Sequence, residues 1–180
     1  MNKRGTYLKN HKGQVWVETV IYLLIAFVMM GLVLSFIRPK IEELRDKAII
    51  EQSLDIIKDI DNSIITMGSP GNRRLVEIGI KKGSLIIDSE NDRIIFEMSG
   101  RYTYTEPGEN ISIGNINAIT KINGKTNDIT LTRDFSEEYN FTYKGEETLK
   151  TLNKASTPYR LFFTNEGESL DKIVINFDVE

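Results

Sequence analysis

The sequence predicts an α+β protein: a long N-terminal hydrophobic, then amphipathic, α-helix followed by an antiparallel β-sandwich or partly open β-barrel head domain. Three observations carry the expectation. Residues 15–37 are almost continuously apolar, and residues 38–67 keep apolar side chains at three- and four-residue steps among charges. From Leu75 onward the apolar period falls to two, interrupted by short Gly, Asn and Pro turn signals.

The apolar run comes first. Thr19 to Ile37 is 19 residues without a formal charge, rich in Ile, Leu, Val, Phe and Met. As a helix it measures about 28 Å, enough to cross a bilayer. A soluble core helix of this length carries a polar face, and Val20-Ile21-Tyr22-Leu23-Leu24-Ile25-Ala26-Phe27-Val28-Met29-Met30 has none. Lys3, Arg4, Lys9 and Lys12 precede the run and Glu42 and Glu43 follow it, which predicts a cytoplasmic N-terminus and an external body. The run passes into Arg38-Pro39-Lys40-Ile41 without the small-residue site at which a conventional signal peptide is cut.

Composition narrows the function classes. The chain has 180 residues, 40% of them apolar, which suits one domain with an appendage. Its formal charge is −3, yet all 26 acidic residues lie beyond Lys12, so the body is acidic and the first 13 residues basic. An acidic body without a basic stripe argues against nucleic acid as a partner, since that affinity comes mainly from neutralising phosphates. Cysteine is absent, which removes disulfides, thiol catalysis and thiolate metal sites.

The junction before the run is Lys12-Gly13-Gln14-Val15-Trp16-Val17-Glu18, with one carboxylate just inside the apolar stretch. It resembles the class III signal peptide of archaeal type IV pilin-like proteins, closely over about residues 9–65 and beyond that only in general architecture. The resemblance implies that a membrane-embedded class III prepilin peptidase cuts between Gly13 and Gln14, removing residues 1–13 and leaving the apolar helix on the mature chain. Glu18 then becomes the fifth residue, where the family keeps its glutamate. Trp16 departs from the family, which favours a small residue such as Ser at the third mature position. Glu18 has two readings: it reaches headgroup water at the membrane interface, or it pairs with the free α-amino group of Gln14 on a neighbouring subunit and sets axial register.

Residues 14–67 read as one long helix, with a membrane or filament core at 15–37 and an amphipathic extension at 38–67. Ile41, Leu44, Ala48, Ile50, Leu54, Ile57, Ile60 and Ile64 form the apolar face of that extension. Its partner is the chain's own β-domain, the same helix of other copies, or both on different faces. Pro39 removes a backbone donor, so a kink or short unwound stretch is expected near residues 35–39. Gly68, Pro70 and Gly71 end the helix, making 68–74 a linker and 75–180 the external β-domain.

Alternation predicts roughly eight strands: from Leu75, around Ile94, at 102–105, 116–122, 129–132, 139–143, 160–164 and 173–179. Turns are expected at Asn91-Asp92, Asn123-Gly124, Lys144-Gly145 and Glu166-Gly167, among others. The lack of intervening helices excludes a parallel sheet. Glu146–Lys154 is a further helix candidate, with Leu149 and Leu152 facing inward.

Chemistry-bearing patterns are sparse, and the expectation is a non-enzymatic protein without cofactor or metal. His11, the single histidine, falls in the leader. Gly124-Lys125-Thr126 looks like the end of a phosphate loop, but Ile119 stands where that loop needs its first glycine. Asp88, Glu90, Asn91 and Asp92 crowd oxygens into five residues, and a solvated hairpin accounts for them better than calcium. Asn110-Ile111-Ser112 and Asn140-Phe141-Thr142 are N-glycosylation sequons, with Asn110 the more accessible candidate because it follows Pro107-Gly108.

The resemblance therefore implies a structural subunit of an archaeal type IV pilus-like surface filament, serving adhesion, attachment or motility. It would start as a single-pass membrane protein in contact with lipid and end in an extracellular filament. Its implied partners are itself as a homopolymer or other pilins, the prepilin peptidase, and a pilus assembly platform with its ATPase. The alternatives are a non-polymerising anchored minor pilin or archaellum stator-like protein that binds the surface layer, and an anchored extracellular receptor or enzyme.

Overall fold

The computed structural model describes residues 11–180, with side chains described from Trp16 onward. The basic residues at positions 3, 4 and 9 lie outside the described residues. One helix, α1 (His11–Ile65), precedes ten strands: β1 (Arg73–Ile78), β2 (Ser84–Asp88), β3 (Arg93–Gly100), β4 (Asn110–Ile113) and β5 (Ile116–Asn123), then β6 (Thr126–Asp134), β7 (Tyr139–Tyr143), β8 (Leu149–Asn153), β9 (Tyr159–Ser169) and β10 (Lys172–Val179). The fold is α+β. The chain forms two compact units, one ending at Ile41 and the other running from Glu42 to Glu180.

In the first unit the backbone is helical throughout the described residues, Pro39 included. The expected unwound stretch at residues 35–39 is not formed. A proline deletes only its own N–H, and the helical dihedrals on either side are kept by every other bond of the ladder.

The second unit contains the remainder of α1, two sheets and their common core. Four strands are ordered β1-β9-β10-β7 and six are ordered β4-β5-β6-β3-β2-β8, and neither sheet closes into a barrel. Every pairing but one is antiparallel. Strands β7 and β10 run parallel, with Phe141 opposite Ile175, so the four-stranded sheet is mixed instead of wholly antiparallel. The return path that a parallel pair requires is supplied by β8 and β9 instead of a helix.

On α1, Ile50, Leu54, Ile57, Ile60 and Ile64 are buried at spacings of four and three residues. The amphipathic face thus packs on the chain's own β-domain, each side chain contributing roughly 1.5–3 kcal/mol. They join one cluster with Leu85, Ile87 and Ile94 of the six-stranded sheet and Leu161, Phe163 and Ile175 of the other. Within the four-stranded sheet Phe141 lies 4.8 Å from Phe177 in a T-shaped contact, and 5.0 Å from Phe135, which follows β6.

Three further expectations are corrected. Residues 149–153 form edge strand β8 against β2 instead of a helix; a strand sends Leu149 and Leu152 to different environments, and only Leu152 is buried. Residues 102–105 join no ladder. Thr105 and Thr120 exchange hydrogen bonds instead, each backbone N–H donating to the other's Oγ1 at 3.0 and 2.9 Å. Glu166-Gly167 is a bulge in β9, where the register with β10 slips between Val174 and Ile175, and the turn falls at Leu170-Asp171, both at positive φ. Asn123-Gly124 does belong to a hairpin: Asn123 pairs with Thr126, leaving Gly124 (φ 62°) and Lys125 as the loop residues.

Candidate functional site

The feature that calls for a partner is the apolar surface of α1 before Ile41. Among the described residues, α1 is the one helix long and apolar enough to be a membrane span, and none of its most apolar stretch is buried. Phe36 is 78% exposed and Trp16 71%, and the large apolar side chains between them are exposed too, except the half-buried Val20. A water-soluble monomer seldom tolerates a contiguous apolar patch of more than a few hundred Å². Uniform sequence hydrophobicity produces this surface: with no polar face there is no side for water and no side for a core.

One carboxylate interrupts it. Glu18 Oε1 accepts a hydrogen bond from Tyr22 Oη at 3.2 Å, one helical turn along. The phenol occupies part of the carboxylate's acceptor capacity, and the second oxygen is left to water, a headgroup or a cation. Gly13 and Gln14 lie in the helical backbone of α1, and their side chains lie outside the described residues, as does that of His11.

The two sequons sit on different strands. Asn110 opens β4 and is exposed, whereas Asn140 lies within β7 and is half-buried. The Thr142 hydroxyl of the second sequon donates to Asn176 Oδ1 at 3.2 Å. In the β2–β3 hairpin, Asp88 accepts from the Asn91 backbone and side chain, and Asp92 Oδ1 accepts from the Phe141 N–H at 2.7 Å. Those carboxylates hold the hairpin and anchor β7. No group of three metal-ligating side chains occurs among the described residues.

Sequence reasoning missed the tethers between α1 and the six-stranded sheet. Asp46, only 4% exposed, accepts from Lys82 Nζ at 2.5 Å and from the Arg101 N–H at 2.7 Å. A Cβ on Gly100 would run into the same carboxylate, so glycine there makes room for it. Asp61 pairs with Arg133 at 2.7 Å, and Glu42 with Arg101 at 2.8 Å. The one signal in the sequence was an acid on the inward side of an amphipathic helix, at the same phase as the buried isoleucines. Asp46 is 36 residues from Lys82 in the chain, and Asp61 is 72 from Arg133.

Shifted titrations have structural causes. Burial raises the phenols of Tyr104 and Tyr139. A hydrogen bond from Ser99, then one from Asn123, lowers Asp128. Burial alone would lift Asp134, but hydrogen bonds from Ser136 and the Arg93 guanidinium outweigh it and hold that carboxyl below its ordinary value. Asp128, Asp134 and Tyr139 lie on strands of the second unit and Tyr104 in the unpaired stretch between β3 and β4, and each is explained by its immediate neighbours.

Comparison with known proteins adds no relative: no family model, no curated protein and no solved structure matches the chain.

Proposed function

We propose that this chain is a structural, non-enzymatic subunit of an archaeal type IV pilus-like surface filament, serving adhesion, attachment or motility. A prepilin peptidase cuts it between Gly13 and Gln14, and it polymerises through its apolar helix, alone or with other pilins. The observation that carries the reading is the open apolar surface from Trp16 to Ile37 on the same helix whose later residues are committed to the β-domain core. Among the described residues, the large apolar side chains of this early part of α1 are not buried. That stretch needs lipid first and, in a filament, the same helix of other copies, a contact that repeats without closing.

The junction Lys12-Gly13-Gln14 and the carboxylate at Glu18 favour a processed pilin over a simple anchor. With Gln14 as the new terminus, Glu18 neutralises the α-amino group of a neighbouring subunit and fixes axial register. The head is then an external α+β module, its two sheets forming an open sandwich whose core α1 completes. An assembly platform in the membrane and a separate cytoplasmic ATPase supply the work of extraction. Asn110, exposed at the start of β4, is the favoured glycan acceptor and Asn140 the lesser one.

A second reading keeps the anchor and drops the polymer: a minor pilin or archaellum stator-like protein that binds the surface layer with its head. The intra-helical Tyr22–Glu18 bond favours it, because it gives the carboxylate a partner without a neighbouring subunit. Electron microscopy of sheared surface material, with mass spectrometry of the purified chain, separates the two. Filaments built of chains beginning at Gln14 support assembly; an intact monomer confined to the membrane fraction supports the anchor. A full-length chain found in the soluble fraction rules out both.

A further inference from the structure

The body of the protein is acidic, yet one cleft on it is basic. Arg45, Lys81, Lys82, Arg101 and Lys154 line a depression between α1 and the loops that flank β2 and β3, opposed by only Glu42 and Asp46. Both carboxylates are already engaged, Glu42 with Arg101 at 2.8 Å and Asp46 with Lys82 at 2.5 Å. Among the described residues, Arg45, Lys81 and Lys154 make no ion pair and are exposed. Asp46 also fixes the cleft's geometry, since its bond from the Arg101 N–H holds the loop after β3 and its bond to Lys82 holds the loop before β2.

The position of these cations along the chain suggests what they meet. Glu42 and Arg45 follow the last apolar residue of the exposed run, Ile37, by five and eight residues in the sequence. Arg38 and Lys40 fall in the interval. Cations just past a hydrocarbon span stand at headgroup level, where Lys and Arg gain from anionic phosphate. In an otherwise acidic body, five cations from four separate segments of the chain meet around one depression that Arg45 brings near the end of the apolar run in sequence.

We propose that this cleft binds the phosphate of anionic membrane lipids, clamping the head of the protein to the bilayer surface while it is still inserted. The inference rests on reading residues 15–37 as a membrane span. Arg45, Lys81 and Lys154 supply the attraction, each strengthening the contact about fivefold at an anionic surface. Lys82 and Arg101, held by their carboxylates, shape the floor. Extraction of the subunit from the membrane has to break this clamp, so lipid charge sets how readily the head is released.

The test uses the full chain in nanodiscs of phosphatidylcholine, with or without phosphatidylglycerol. Amide exchange is read at residues 81–83 and 154, and quenching of Trp16 by brominated lipid reports insertion. Exchange at least fivefold slower in the anionic discs is expected, with the difference abolished by about 0.5 M NaCl and by the triple variant Arg45→Ala, Lys81→Ala, Lys154→Ala. Those three side chains hold no structural carboxylate, so the variant keeps the fold. Inserted protein whose exchange ignores lipid charge overturns the clamp and leaves the span intact. Protection that follows the number of chains per disc instead of lipid charge also overturns it, assigning the cleft to the acidic surface of a second copy. If Trp16 is not quenched by lipid in either disc, the span itself is wrong and the clamp falls with it.

Discussion

Asp61 of α1 and Arg133 of β6 meet at 2.7 Å, with only 13% and 16% of their side chains exposed. Arg133 also lies over the Phe135 ring, 4.3 Å from its centroid, and donates to the Asp134 carbonyl. A single guanidinium therefore joins the helix, a strand and the loop that leads to β7. Removing one partner leaves a poorly hydrated charge, which costs more than the pair contributes. Asp61→Ala is expected to lower stability by roughly 2–4 kcal/mol in urea unfolding, and a cycle with Arg133→Met is expected to recover part of the loss.

Gly100 has room for a hydrogen but not for a methyl group, because the Asp46 carboxylate fills the space. Gly100→Ala forces that carboxylate off Lys82 and the Arg101 N–H. A loss of about 2 kcal/mol is expected, against less than about 0.5 kcal/mol for alanine at the exposed Glu97 of the same strand. Denaturant midpoints compare the two.

Ile57 is fully buried and its neighbour Lys58 is exposed. If the second half of α1 is part of the head's core, Ile57→Ala costs about 2–5 kcal/mol through lost burial and a cavity, and Lys58→Ala almost nothing. Equal, small effects from both would show that the helix is not packed there.

Asp134 binds its proton less readily in the folded protein than in the unfolded chain, because Ser136 and Arg93 donate to the carboxylate. Its contribution to stability is fully present above the unfolded value, about pH 4, and is lost as pH falls through the lower folded value. Asp134→Asn is expected to flatten the acid limb of a plot of unfolding midpoint against pH. An unchanged limb would mean that Ser136 and Arg93 do not favour the charged form.

Hydropathy made the helical half of this fold legible, because the pattern is local. The exposed run and the buried phase at Ile50, Leu54 and Ile57 follow from periodicity alone. The β half was legible as strands but not as pairings. Parallel β7–β10 requires knowing that β8 leaves for the other sheet, and no local signal in residues 144–148 records that. Leu149 and Leu152 are three apart, a spacing that a helix and an edge strand satisfy equally well until β2 claims one of them. Gly167 sits at φ 101°, and a glycine at positive φ serves a bulge as well as a turn. The candidate site divides in the same way. Glu18 stood out against hydrocarbon, whereas the tethers at Asp46 and Asp61 are contacts between distant segments that one sequence does not display. Orientation is a further case: Lys3, Arg4, Lys9 and Lys12 on one side are matched by Arg38, Lys40, Arg45 and Lys47 on the other. Basic residues close to the span therefore balance, and the proposed orientation rests on the Gly13-Gln14 junction.

Glu18→Ala removes the carboxylate that accepts from Tyr22, in a stretch that is otherwise apolar. Membrane insertion is expected to be unchanged, since a more apolar span inserts at least as well. Filament yield from sheared cells is expected to fall at least tenfold. Fibres at normal yield would leave Glu18 as an interfacial residue that plays no part in register.

Alkaline carbonate extraction of membranes from cells making the full chain asks directly whether residues 16–37 leave water for another apolar medium. The chain is expected to stay in the pellet and to be released only by detergent or, once assembled, by shearing as filaments. Release by carbonate as a soluble, folded monomer would contradict the account, because the side chains from Trp16 to Ile37 would then have found their cover within the molecule.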